Sequence, residues 1–182
     1  MNRRRFLQSM GACAAALAAP GLGPTCAGEP RAQTKPNVVF ILADDLGWSR
    51  LGCYGADFYE TPNLDRLAMQ GMRFTDAYAA CPVCSPTRAS IMTGKYPARL
   101  HLTDFIAGGR FPHERLKQPE WQKFLPLEER TLGELFKKAG YATASFGKWH
   151  LSIAKKPPES LPYNPDKQGF DETFVTYKPT SK

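Results

Sequence analysis

The run Asn37-Val38-Val39-Phe40-Ile41-Leu42 constrains this chain more than any other segment. It is continuous, apolar and β-branched, and it reads as a central parallel strand covered on both faces. It ends directly at Ala43-Asp44-Asp45-Leu46-Gly47. Two adjacent carboxylates at the end of a buried strand repel one another. A helix N-cap wants one aspartate, not two. A divalent cation would neutralise the pair and take its oxygens as ligands. A plain turn or cap also accommodates Asp-Asp, so these residues alone leave both readings open. Open α/β sheets do place their sites at strand carboxyl ends.

Downstream, local signals alternate. Residues 48–59 are rich in glycine and aromatics and read as a loop. Thr61-Pro62-Asn63 opens a helix, Leu64, Leu67 and Ala68 give it an apolar face, and Gly71 stops it. Residues 72–78 alternate well enough for a strand. A second apolar stripe, Leu132, Leu135, Phe136 and Ala139, predicts a helix ending at Gly140, followed by a strand over 141–146. Strand, helix, strand, helix is the order of an α/β fold with a parallel sheet. At 182 residues the chain is long enough for one domain with a real core.

The segment Cys84-Ser85-Pro86-Thr87-Arg88-Ala89-Ser90-Ile91-Met92-Thr93-Gly94 reads as another helix start. Ser85 is a good N-cap, Pro86 then takes the first helical position, and Gly94 is the stop. Cys84 would lie at the helix mouth, where free N–H groups favour an anion. Arg88 is one turn further on, so its guanidinium can approach whatever stands at position 84. A buried cysteine before an ordinary capped helix fits these residues too. At the end of the strand over 141–146 stands Gly147-Lys148-Trp149-His150. In an extended segment Lys148 and His150 share one face, which pairs a fixed positive charge with a group that titrates near neutrality. An exposed lysine beside a histidine capping the sheet is the plainer alternative. His101 and His113 lie in the irregular segment 95–130 and read as loop residues.

The formal charge of +7 comes from 24 basic and 17 acidic residues, but Arg3, Arg4 and Arg5 sit in an N-terminal segment that holds no acid. Without them 21 basic residues face 17 acidic ones, a mild excess that suits an anionic substrate. No basic stripe interleaved with aromatics points to nucleic acid, so no nucleic-acid partner is expected. The basic start, the apolar stretch from Met10 to Ala19 and small residues up to Ala27 form an export signal over residues 1–27. Its Arg-Arg-x-Phe-Leu core resembles a twin-arginine signal. The expected location is periplasmic or extracellular in a bacterium, with the twin-arginine export machinery as a partner. Gly23-Pro24-Thr25 before Cys26 is a poor lipobox, which disfavours a lipoprotein. If Cys13 and Cys26 leave with the signal, Cys53, Cys81 and Cys84 remain, an odd number for an exported protein.

Cys84-x-Pro86-x-Arg88 with Met92-Thr93-Gly94 resembles the first signature of the sulfatases. Gly140-Tyr141-x-Thr143 through Gly147-Lys148-x-His150 resembles the second. The opening Pro36-Asn37-Val38 through Asp44-Asp45-Leu46-Gly47, and the later Gly169-Phe170-Asp171-Glu172-Thr173-Phe174, are also similar to that family. Phe146 is bulkier than the residue expected before Gly147.

The resemblance implies an alkaline-phosphatase-like α/β fold, with a parallel or mixed sheet and helices on both faces. Residues 28–182 would be the N-terminal part of the catalytic domain. It implies a sulfuric ester hydrolase in which Cys84 is oxidised to formylglycine by a maturation enzyme. Asp44, Asp45 and the converted Cys84 would bind calcium, or magnesium. Arg88 would hold the nucleophile, Lys148 would bridge it to a sulfate oxygen, and His150 would orient or deprotonate it. The substrate would be a sulfated small molecule or polysaccharide. Sulfatases are well over twice this length, so the expectation is a fragment, inactive alone. Two alternatives are a phosphodiesterase or phosphonate monoester hydrolase of the same superfamily, and a truncated, non-catalytic exported protein.

Overall fold

A computed structural model describes residues 35–106, 108, 113, 115–116, 118–152 and 161–176. The expected export signal at 1–27 lies outside the described residues. The chain divides into two compact units, one running to Leu42 and the other starting at Ala43. In the first unit, residues 37–42 form no strand. The side chains from Val38 to Leu42 are exposed. This corrects the expected central strand. A buried parallel strand needs hydrogen-bonded neighbours beside it and helices over both faces. Among the described residues the two strands that form pair with each other.

The second unit holds the regular structure. Helix α1 spans Pro62–Gln70, α2 Cys84–Thr93, α3 Pro97–Leu100 and α4 Leu132–Lys138; strand β1 spans Ala144–Lys148 and β2 Glu172–Thr176. The strands are parallel, with Phe146 opposite Phe174 and Lys148 opposite Thr176. The chain is therefore α/β with a parallel pair. Residues 72–78 form no strand, against expectation. Met72 and Phe74 are exposed, so no packed surface rewards an extended ladder there.

Helix limits follow local chemistry closely. Pro62 sits in the first turn of α1, and Gly71 follows its last residue. Its apolar face is not buried, however: Leu64 and Leu67 are exposed. Thr61 caps nothing with its side chain. Instead its hydroxyl accepts the Gly52 N–H at 2.8 Å and donates to Asp65 at 3.0 Å, while Asp65 accepts the Cys53 N–H at 2.7 Å. The aromatic loop before α1 is tied to the helix in this way. Gly94 ends α2 at φ 69°, a left-handed conformation that favours glycine.

Helix α4 starts with a capping box. Thr131 accepts the Glu134 N–H, and Glu134 reaches back to the Thr131 N–H. Thr131 also donates to the Gln168 carbonyl at 2.6 Å. The buried side of α4 is thus Thr131 and Gly133, not the predicted leucine stripe, and Leu135 is exposed. A Cβ on Gly133 would meet the Gln168 carbonyl at 2.7 Å and the Phe170 ring at 2.9 Å. The segment before β2 packs against the helix because this position has no side chain.

The core is formed by Ala89, Leu100, Leu102, Ile106, Leu125, Trp149 and Leu151. It joins α2 to the end of β1, and both elements carry candidate site residues. Trp149 is buried, donates its indole N–H to the Tyr163 carbonyl at 3.0 Å and meets Phe170 edge to face. Leu151 is buried too, and its carbonyl accepts the Leu125 N–H at 2.8 Å.

Candidate active site

Burying Trp149 and Leu151 fixes what lies on either side of them. Lys148 and His150 are left half-buried at the margin of the core. The chain does not stay extended here. His150 has φ 56°, in the left-handed region. The prediction of one shared face along an extended strand is therefore corrected: the strand ends at Lys148, and His150 is turned by its own backbone. The two side chains still belong to one electrostatic neighbourhood, because Lys148, Arg88 and Asp44 all act on the His150 ring.

Asp44 is where the separate motifs meet. Its Oδ2 accepts from Arg88 Nη2 at 2.7 Å and Nε at 3.2 Å, and its Oδ1 accepts from Lys148 Nζ at 2.9 Å. Arg88 also donates to the Lys148 carbonyl. One carboxylate thus holds two cations that come from α2 and from the end of β1. Arg88 is the more buried cation, with 11% of its side chain exposed against 23% for Lys148. Burial alone would raise the Asp44 pKa. Hydrogen bonds and charge from Arg88 and Lys148 outweigh it and hold the carboxyl below its ordinary range.

Cys84 is the first residue of α2 and is half-buried, one turn from Arg88. Val83, not Ser85, occupies the N-cap, which shifts the expected helix start back by two residues. The Ser85 side chain is fully buried and engaged elsewhere: its oxygen accepts the Ile106 N–H at 2.9 Å. Pro86 lies in the first turn, where a missing N–H leaves no helix bond unmade. Cys53, Cys81 and Cys84 are all free thiols. His101 is exposed at the end of α3, as expected of a loop residue.

His150 Nε2 lies 2.7 Å from the Ile106 carbonyl. Burial, the largest influence, lowers the proton affinity of the ring, the Ile106 carbonyl raises it, and Lys148 and Arg88 lower it further. His150 is therefore held neutral more firmly than a free histidine.

Both oxygens of Asp44 already accept from cations, and among the described residues no three His, Cys, Asp or Glu side chains converge as ligands. Asp45 adopts φ 58°, a conformation aspartate tolerates better than most residues.

The sulfatase family model matches residues 36–182. The chain belongs to the sulfatase family. It is 43% identical over 158 residues to the N-acetylgalactosamine-6-sulfatase of Sus scrofa, covering 87% of this chain and 28% of that protein. It is 44% identical over 151 residues to arylsulfatase G of Canis lupus familiaris, covering 81% of this chain and 24% of that one. Among solved structures it resembles Ps i-CgsB, with TM-score 0.63 and 34% identity over 78% of this chain and 28% of the other. A Bacteroides thetaiotaomicron protein of glycosaminoglycan metabolism gives TM-score 0.63 and 37% identity over 79% of this chain and 28% of its own. The sulfatase chain described here thus spans about a quarter of the length of the relatives it matches. Its α/β fold with a parallel strand pair agrees with part of an alkaline-phosphatase-like fold.

Sequence reasoning missed Ser85 as a buried acceptor, Ile106 as the partner of His150, and Trp149 as the anchor between the two candidate site residues. Only Trp149 left a trace in the sequence, as the one large apolar residue between Lys148 and His150. The Thr131-x-x-Glu134 pattern of the α4 capping box also stands in the sequence and was missed.

Proposed function

We propose that this chain carries the nucleophile face of a sulfuric ester hydrolase. The observation behind this is Asp44 holding Arg88 and Lys148 together, so that three sequence motifs converge on one carboxylate. Cys84, once oxidised to formylglycine and hydrated, would supply the oxygen nucleophile that displaces the alcohol from sulfur, and loss of sulfate from the hydrate would return the aldehyde. Arg88, one turn along α2, stabilises the negative charge of that group. Lys148 binds a sulfate oxygen. His150, neutral and half-buried, accepts a proton from the hydrate. Asp44 keeps the two cations oriented. With Asp45 it would contribute only part of the six to eight oxygens that calcium takes, or of a magnesium site, and none of the roles above depends on that.

The substrate is a sulfated sugar, free or within a polysaccharide. Two relatives' names support this: N-acetylgalactosamine-6-sulfatase, and Ps i-CgsB, which was solved in complex with k-i-k-neocarrahexaose. The Arg-Arg-x-Phe-Leu start supports export by the twin-arginine route, and Cys84 requires a formylglycine-generating enzyme in the host. Mass spectrometry of the Cys84 peptide, with turnover of paired aryl sulfate and aryl phosphate esters, tests the reading. The expected result is an aldehyde at position 84 and preference for the sulfate ester. Sulfate hydrolysis that survives Cys84→Ala would refute it.

A further inference from the structure

Ser85 sits beside the nucleophile position but does not face it. Its side chain is fully buried, and its oxygen accepts the Ile106 N–H at 2.9 Å. The Ile106 side chain is itself locked in the core. Backbone N–H and apolar side chain are therefore both fixed, and the carbonyl of the same residue is left aimed at His150, 2.7 Å from Nε2. A carbonyl oxygen can only accept. Nε2 must therefore carry the ring hydrogen, and in the neutral ring Nδ1 is then the nitrogen with the free lone pair. Nδ1 is buried and has no hydrogen-bond partner among the described residues. A buried imidazole nitrogen without a partner is costly in a merely structural role. It suits a base that waits for the proton of a bound group.

We propose that Ser85 is the positioning residue for His150: by pinning Ile106 it holds the imidazole as the Nε2–H tautomer and leaves Nδ1 as the proton acceptor. This rests on the reading of His150 as part of the hydrolytic site, but the tautomer and its dependence on Ser85 do not require turnover. The arrangement links the residue after Cys84 to the catalytic base through one backbone residue. The serine of the first motif and the histidine of the second are then parts of one device, 21 and 44 residues from Ile106 respectively.

The test is nitrogen-15 NMR of the uniformly labelled full chain, comparing wild type, Ser85→Ala and Ser85→Thr. In the wild type, Nε2 of His150 should show the pyrrole-like shift and Nδ1 the pyridine-like one. In Ser85→Ala both shifts should move toward a tautomer average, and the Ile106 amide should exchange roughly tenfold faster, as loss of one buried hydrogen bond implies. Ser85→Thr, which keeps the hydroxyl, should restore both signals. A protonated Nδ1 in the wild type overturns the proposal even if Ser85→Ala fails to fold. So does a Ser85→Ala chain that folds with His150 and Ile106 unchanged. Loss of the proposed hydrolysis with the wild-type tautomer as expected would count against the functional reading and leave this inference standing.

Discussion

Removing the Asp44–Arg88 pair should expose how much of the site is held by electrostatics rather than by the core. Arg88 makes two contacts to Asp44 Oδ2, at 2.7 and 3.2 Å, from a side chain that is only 11% exposed. Lys148 makes one contact at 2.9 Å from a more exposed side chain. Charge-assisted hydrogen bonds contribute about 1.5–3 kcal/mol when shielded, whereas exposed ion pairs contribute about 0–1 kcal/mol. The Asp44–Arg88 coupling should therefore be about 2 kcal/mol, and the Asp44–Lys148 coupling about 0.5–1 kcal/mol. Two double-mutant cycles read by urea unfolding measure both: Asp44→Ala with Arg88→Ala, and Asp44→Ala with Lys148→Ala. Arg88→Ala should cost more than its coupling alone, because it also strips the Lys148 carbonyl of a donor. The Asp44 carboxyl is held below its ordinary pKa, so its contribution is complete above about pH 4 and is lost as pH falls through the lowered value. An Asp44–Arg88 coupling below about 0.5 kcal/mol at neutral pH, no larger than additivity error, would refute the reasoning. So would the reverse ranking of the two cations.

Other outcomes follow from the same contacts. The lowered proton affinity of His150 means the unfolded chain binds more protons below about pH 6.5. Stability should fall as pH drops from there toward the lowered value, and His150→Gln should flatten that slope in denaturation curves. Gly133→Ala forces a methyl against the Gln168 carbonyl and the Phe170 ring, and thermal melting should show a loss of about 1–3 kcal/mol. Thr131→Ala removes both the α4 cap and the bond to Gln168, and should cost about 2 kcal/mol in urea unfolding. If Thr131→Ala proves neutral, the buried face of α4 has been misassigned.

What residue order alone determined was local. Proline and glycine marked the limits of α1, the end of α2 and the end of α4, because those residues restrict or free their own backbone whatever surrounds them. The Cys84–Arg88 spacing placed both on one helix for the same reason, and the motifs were specific enough to indicate the family. Burial was not legible. Leu64, Leu67 and the run from Val38 to Leu42 have the composition of a core and lie exposed, because burial depends on which surfaces arrive opposite. Only the packed chain decided that Ser85 would leave the cap to hold Ile106, and that Asp44 would join Arg88 and Lys148 across 44 and 104 residues. Hydrogen bonds and ion pairs act over a few ångströms, so partners that far apart in sequence meet only when the core formed around Trp149 and Ala89 carries them together.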